Sequence, residues 1–432
     1  MFDDATIKEL AEEHSSGFYI CDLDRFEENY RSFLWSFKSI YPKTRLAYSY
    51  KTNYLPTLCI RIDELGGYAE VVSRMEYEIA RSLGVSGPDI IFNGPVKTGD
   101  DYLKAALAGS VVNVDSDYEI AIIEALADEH PELSLRLGIR CAVNLQGASP
   151  SRFGFDTDGS DFFERVDRLR AIANVSLEGL HCHTIPPGRS ASNYAIVARR
   201  LLDLGRKIWG AGGPRFIDLG GGYFSNMSPE LRSQFGGEIP TFDDYGGAIA
   251  GVFADAFGDG NGPELILEPG LAVVADAFHF VCRVVDIKRA GSKIFALVAG
   301  SVYNVRPTKS RRNLPVRRIE NGIRSLATGH PPLDVVGYTC MEDDVLHRDY
   351  DSTLSVGDLL VFDNVGAYSL VLKPPFIQGD VPVVACRDGQ APGPILKRAE
   401  TIEDIMATHV VVSPGTDTRS PSPVAGRMKD AS

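Results

Sequence analysis

A lysine at position 51 directly follows the run LAYSY and precedes Thr52 and Asn53. At the mouth of a buried strand a lysine is partly desolvated, which lowers its amine from the usual ~10.4 and favours the neutral nucleophile that forms Schiff bases. A solvated lysine past a strand end is the plain alternative. Further on, Gly220-Gly221-Gly222 follows FIDL, and Gly270 closes LEPG. A glycine run lets backbone amides converge on an anion, and it also makes an ordinary tight turn. Glu268 ends an apolar run. If that run is a buried strand, the carboxylate needs a cation or a protonated ring nitrogen opposite it, with an internal arginine pair as the competing account. GLHCHT holds His181 and His183 on one side of a strand. Either can cover one face of a flat ring or sit satisfied in the core. As a pair they offer two metal ligands, with no third at suitable spacing.

What must position these groups is a repeating unit. Short β-rich runs occur at 45–50, 68–72, 90–93, 111–114, 135–140, 177–183, 216–219 and 265–268, with helical stretches at 74–83, 99–107, 118–126, 162–172, 193–209 and 245–257. Ser73 and Ser116 read as helix N-caps. Eight evenly spaced units over about 230 residues fit a (β/α)8 TIM barrel better than a doubly wound open sheet. Functional side chains of such barrels gather where strands end. Lys51 follows strand one, His183 ends strand six, the glycine run follows strand seven, and Glu268 with Gly270 follows strand eight, so one rim would collect them. Beyond about residue 276 the pattern becomes strands at 278–287, 293–298, 333–336, 359–362 and 381–385, separated by Gly, Pro and Asp turns. The reading is a barrel over 25–275, an all-β domain from 1–24 with 276–411, and a Ser/Pro/Gly-rich disordered tail over 412–432.

The bulk figures narrow the function class. A hydrophobic fraction of 44% with 24% charged residues is a globular balance, and a net charge of -14 disfavours nucleic-acid or membrane-surface binding without excluding a small anion. Seven scattered cysteines without a CxxC pair fit reduced thiols. The acidic start MFDDATIKELAEEH is no secretory signal, and no apolar run is long enough for a bilayer, so a cytoplasmic protein is expected.

Together the motifs resemble the barrel-type (fold-type III) pyridoxal-phosphate decarboxylases, the group of diaminopimelate and ornithine decarboxylases. The resemblance runs from FYICDLD to the GAY segment near residue 367 and includes AEVVSRMEYEIARSLGV, IIFNGPVK and SRFGF. It implies Lys51 in YSYKTN as the Schiff-base lysine and His183 as the histidine stacked on the cofactor. It implies Gly220, Gly221, Gly222 and Gly270 around the phosphate, and Glu268 on the ring nitrogen. CMEDD is similar to the family's Cys motif, implying Cys340 as the acid that reprotonates carbon and Asp344 as the group that holds the substrate amine or orients the cysteine. GAY implies Tyr368 as a phosphate ligand. The implied architecture is a TIM barrel with a C-terminal β domain, alanine-racemase-like. The implied protein is a homodimer whose sites are completed by the partner's Cys motif. The implied activity is pyridoxal 5'-phosphate-dependent decarboxylation of an amino acid or an amino-acid-derived intermediate.

The departures concern the substrate. Ile185-Pro186-Pro187 replaces the family's Gly-Ser, Leu271 stands where an arginine usually follows EPG, and Met341 stands where an acidic residue follows the cysteine. Arg306-Pro307 resembles a substrate-binding segment of diaminopimelate decarboxylases, but the later tyrosine is Ser310. Arg306, with Arg311 and Arg312, offers charge to an acidic distal group, unless the loop is simply a solvated basic one. The substrate-side residues are then Arg306, Met341 and Asp344, and the substrate a carboxylated or conjugated amino acid, as in siderophore or other specialised-metabolite pathways. A racemase on the same fold is the first alternative, although racemases resemble an arginine at the Glu268 position. A catalytically silent homologue is the second, against which stand Lys51 and Cys340 together.

Overall fold

Eight parallel strands close on themselves: β1 (Thr44–Ser49), β2 (Tyr68–Val71), β3 (Ile90–Phe92), β4 (Val111–Val114), β5 (Leu135–Ala142), β6 (Val175–His181), β7 (Phe216–Asp218) and β8 (Glu264–Leu267). Pairing of β8 with β1 and of β4 with β5 completes the ring, so the sheet is a closed barrel and not an open doubly wound one. The computed structural model describes residues 2–14, 17–147, 149–258, 261–308, 310–321, 324–325, 332–387, 389, 392–411 and 422–423. Residues up to Asp22 together with those from Phe278 onward form one unit, and Leu23–Ala277 the other.

Alternate residues of each strand face inward. The first inward layer is apolar, with Ala47, Ile91, Val111, Phe216 and Ile266 buried together and Tyr68 packed against them. Phe216 claims the space that β5 and β6 leave: a Cβ on Gly138 or Gly179 would lie 2.9 or 2.6 Å from its ring. Helices Pro56–Glu64, Arg74–Ser82, Gly99–Ala108, Asp117–Glu129, Phe162–Arg170, Ala191–Trp209 and Phe242–Phe257 return the chain between strands, and Leu23–Lys38 packs against Phe242–Phe257 and β1. Their starts are capped as the side chains dictate. Ser73 accepts from Glu76 N at 3.2 Å, and Thr98 and Thr241 form capping boxes with Asp101 and Asp244. Ser116 stands at its N-cap position without a side-chain cap bond.

The other unit is built on a nine-stranded sheet. Its long strand, Phe278–Ala290, pairs with Lys293–Val298, with Leu359–Phe362 and with Phe18–Asp22. Phe18–Asp22 also runs parallel to Val383–Cys386. Phe18, Ile20, Val281, Leu359, Val361 and Val384 are buried in one core with Ile7 and Leu10 of helix Asp4–Glu13. This unit is thus not purely β, since it also carries Val302–Val305 and Ile402–Met406 as short helices. The tail expected to be disordered over 412–432 lies outside the described residues except for Ser422–Pro423, which pairs antiparallel with Val410–Val411. No helix among the described residues is long and apolar enough to cross a membrane.

Candidate active site

Two residues beyond the apolar layer, the same inward register turns polar. Ala47, Tyr68, Ile91, Val111, Gly138, Gly179, Phe216 and Ile266 are followed at i+2 by Ser49, Glu70, Asn93, Asn113, Arg140, His181, Asp218 and Glu268. All eight are buried. Lys51 rises from the turn Tyr50–Thr52 after β1, its Nζ ion-paired with Glu70 Oε2 and donating to Ser49 Oγ at 2.6 Å. Asn93 Nδ2 reaches both Glu70 Oε1 (3.1 Å) and Glu268 Oε1 (2.5 Å), while Asn113 Nδ2 fixes its carbonyl oxygen at 2.7 Å.

The far side holds the histidines. β6 ends at His181, earlier than the sequence suggested, and His183 lies beyond it with its side chain 26% exposed. His183 Nδ1 stands between Gly221 N (3.1 Å) and Glu268 Oε2 (3.3 Å), and it serves only one of them, as acceptor or as donor. His181 is fully enclosed, with Nε2 at 3.4 Å from Glu268 Oε1 and neither ring nitrogen hydrogen-bonded. Burial pushes the His181 imidazole down, against the pull of the Glu268 charge. For Glu268, burial works upward, but contacts with His181, then His183 and Lys51, outweigh it and hold the carboxyl well below its usual range. Asp218 goes the other way, raised by burial and then by the Glu268 charge, with Oδ1 accepting from Gly220 N at 2.8 Å. At the base of the site Glu268 and Asp218 are thus shifted in opposite directions, with the acid beside the histidines the one that favours its anion. His181, Asp218 and Glu268 bring ligand atoms within 4.8 Å of one another, one histidine with two carboxylates rather than the two histidines that spacing had paired.

Lys51, Glu70, Asn93, Arg140, His181, His183 and Glu268 line one cavity of about 270 Å³. Arg140, ion-paired with Asp115 at 2.7 Å, and Arg152 stack on Phe153 at 4.7 and 4.0 Å. A larger cavity of about 750 Å³ lies among Lys43, Pro214, Arg215 and Pro263, which precede strand starts, away from these acid–base groups.

Residues 23–275 match the family described as pyridoxal-dependent decarboxylase, pyridoxal binding domain. The chain belongs to this family. It is a pyridoxal-phosphate-dependent decarboxylase acting on an amino acid or an amino-acid-derived intermediate. It is 34% identical over 359 residues to a diaminopimelate decarboxylase of Actinosynnema pretiosum subsp. auranticum, covering 79% of this chain and 77% of that protein. It is 27% identical to L-glutamyl-[BtrI acyl-carrier protein] decarboxylase of Niallia circulans, over 94% of this chain and 97% of that one. In fold it is similar to the solved diaminopimelate decarboxylase of M. jannaschii, with a TM-score of 0.81, 24% identity and 94% of each chain covered.

The decarboxylase cavity fits the cofactor on its own geometry. When His183 Nδ1 accepts the Gly221 amide, Glu268 Oε2 is left for a donor from within the cavity, and a protonated ring nitrogen is such a donor. The glycine run admits no side chain where it passes the strand-eight end, because a Cβ on Gly221 would lie 2.3 Å from Glu268 O. Gly270 closes the same side against Thr52.

The remaining expected residues belong to the other unit. Cys340 is exposed, whereas the other six cysteines are buried. Its loop is tied by Asp344, whose carboxylate accepts from Val302 N (2.6 Å) and Thr339 N (3.0 Å), leaving a loop-fastening part for Asp344 rather than a grip on a substrate amine. Met341 Sδ accepts from Tyr303 OH at 3.6 Å. Tyr368 takes a left-handed backbone, φ 69°. Arg306 departs from its expected use. It is buried, and its guanidinium donates to the carbonyls of Ser310, Arg312 and Val345, so it holds its own loop. Sequence reading missed Ser49, Glu70, Asn93, Asn113, Arg140 and Asp218. The signal for them was the i+2 step from each apolar inward residue.

Proposed function

We propose that this decarboxylase acts on an amino acid bearing an acidic or conjugated distal group, with Lys51 as the cofactor-anchoring amine. The observation that carries the reading is that Lys51 and Glu268 open on one cavity, bridged through Glu70 and Asn93. Bound there, pyridoxal phosphate supplies the electron sink that allows the bond to the α-carboxylate to break. Glu268 stays ionised and would accept a hydrogen bond from the protonated ring nitrogen, while Asn93 keeps its other oxygen occupied. Glu70 and Ser49 would hold the Lys51 amine whenever it is not joined to the cofactor. His183 covers one ring face and keeps water from it. Gly220–Gly222, Gly270 and Tyr368 hold the phosphate.

In this reading the enzyme is a cytoplasmic homodimer, and Cys340 of the partner subunit delivers the proton to carbon as general acid. Support comes from the exposed thiol on a loop fastened by Asp344. An acidic or conjugated substrate is favoured by Arg152, which lines the cavity with no ion-pair partner among the described residues. It is also favoured by two relatives named for diaminopimelate and for a carrier-borne glutamyl group.

The test is product mass spectrometry in heavy water with free and carrier-conjugated amino acids. Loss of the carboxyl group with one deuterium gained at the α-carbon is expected. Deuterium exchange with the carboxylate retained would instead mean racemisation.

A further inference from the structure

We propose that Arg189 supplies the positive charge that holds the cofactor's phosphate. The inference rests on the reading above, in which the phosphate lies on the glycine run after β7. A phosphate monoester carries close to two negative charges at neutral pH, and cationic donors bind it far better than neutral amides do. On the Gly270 side the chain offers Leu271, which is uncharged and opens a helix of only four residues, Leu271–Val274.

The opposite side is the segment leaving β6. A Cβ on Gly222 would lie 2.9 Å from Tyr194 OH and 3.4 Å from Ile185 Cγ1, and Tyr194 OH donates to Gly221 O at 3.0 Å. Ile185 and Tyr194 therefore pack directly on the glycine run, and Arg189 is the cation in the segment between them. Its guanidinium carbon lies 4.9 Å from the ring centroid of Phe224, two residues past Gly222. Burial raises the Tyr194 hydroxyl, and the nearby Arg189 charge acts against that rise.

Two further observations mark Arg189 as held for use. Among the described residues its guanidinium has no carboxylate partner, whereas Arg200 and Arg206 nearby are paired with Asp158 and Asp203. Its backbone is left-handed, φ 51°, a strained state for a residue with a side chain, and Tyr245 OH pins its carbonyl at 2.8 Å. Ser190 then caps the 19-residue helix Ala191–Trp209, whose N-terminal end adds partial positive charge beside the guanidinium.

The experiment titrates apo-protein with pyridoxal phosphate and, separately, with pyridoxal, which lacks the phosphate, following the absorbance change on binding. R189A and R189Q are expected to weaken pyridoxal phosphate binding roughly ten- to hundred-fold, to leave pyridoxal binding unchanged, and R189K to recover part of the loss. Unchanged pyridoxal phosphate affinity in R189A and R189Q would overturn the proposal. So would equal losses for both ligands, the mark of a merely structural role. Failure of the underlying reading is separate: a K51A protein that keeps the wild-type absorbance change would remove the site assignment itself.

Discussion

Asn93 Nδ2 donates to Glu268 Oε1 at 2.5 Å. The same nitrogen is 3.1 Å from Glu70 Oε1, so one neutral amide separates the carboxylate beside Lys51 from the carboxylate at the base of the cavity. Asn113 holds the amide oxygen and thereby fixes which end points at the acids. N93D would put a third acid between two others, and one of them would take up a proton. A loss of about 10²–10³ in kcat is expected, comparable to removal of one preorganised donor from an active site. Steady-state kinetics with the best substrate decide it, and a variant within threefold of wild type would end the bridging account.

Glu268 and Asp218 are adjacent acids whose carboxyls are shifted in opposite directions, and isosteric amides should separate them. E268Q keeps the shape but loses the anion, so kcat is expected to fall roughly 10²-fold or more while Lys51 still takes up pyridoxal phosphate. D218N replaces an acid that burial and the Glu268 charge push toward its protonated form, and its amide oxygen can still accept from Gly220 N. It is expected to stay within about fivefold of wild type. Equal damage from the two substitutions would contradict the assignment of charge to Glu268.

How much of this was legible follows from strand geometry. Lys51, His183, the glycine run and Glu268 stand out because they follow strands, and the barrel rule says that such positions share a rim. Glu70, Asn93 and Asp218 lie inside or at the edge of β2, β3 and β7, and each looks like an interruption of an apolar run. Their common inward direction emerges only once Tyr68, Ile91 and Phe216 are known to face the barrel interior, because alternation has no absolute sign until the core is known. The pairing of Phe18–Asp22 with Phe278–Ala290 and Val383–Cys386 was illegible for another reason: its partners are hundreds of residues away. Arg306 shows the reverse error. Its type and motif suggested a ligand, but three nearby carbonyls engage its two terminal nitrogens.

Glu76 gives the stability of the protein a predictable pH dependence. Burial pushes its carboxyl from 4.5 up to about 7, although it accepts from Val72 N at 2.8 Å. The folded state therefore keeps a proton that the unfolded chain releases. The resulting stabilisation is fully present below pH 4.5 and is lost as pH rises through about 7. E76Q is neutral throughout and can still accept the Val72 amide. Its stability relative to wild type should rise between about pH 5 and pH 8 by on the order of 2 kcal/mol. Urea unfolding at the two pH values measures this, and a pH-independent difference would show that Glu76 does not titrate as described.

The proposed sharing of sites between subunits separates Lys51 from Cys340 genetically. K51A and C340A should each be nearly inactive as homodimers. Mixed after reversible dissociation in equal amounts, they should recover about one quarter of wild-type activity, because half of randomly formed dimers are mixed and each holds one intact site. The recovered activity should grow with time of subunit exchange and vanish if the dimers are cross-linked before mixing. If Cys340 instead serves the Lys51 of its own chain, one site of every mixed dimer lacks the lysine and the other lacks the cysteine, so no activity is recovered. Recovery therefore separates the two arrangements, and a third protein checks the result independently. The double variant K51A/C340A mixed with wild type distinguishes them: shared sites give mixed dimers in which both sites lack one residue, so total activity falls as exchange proceeds. Sites confined to one chain leave the wild-type half of each mixed dimer untouched, and total activity stays constant.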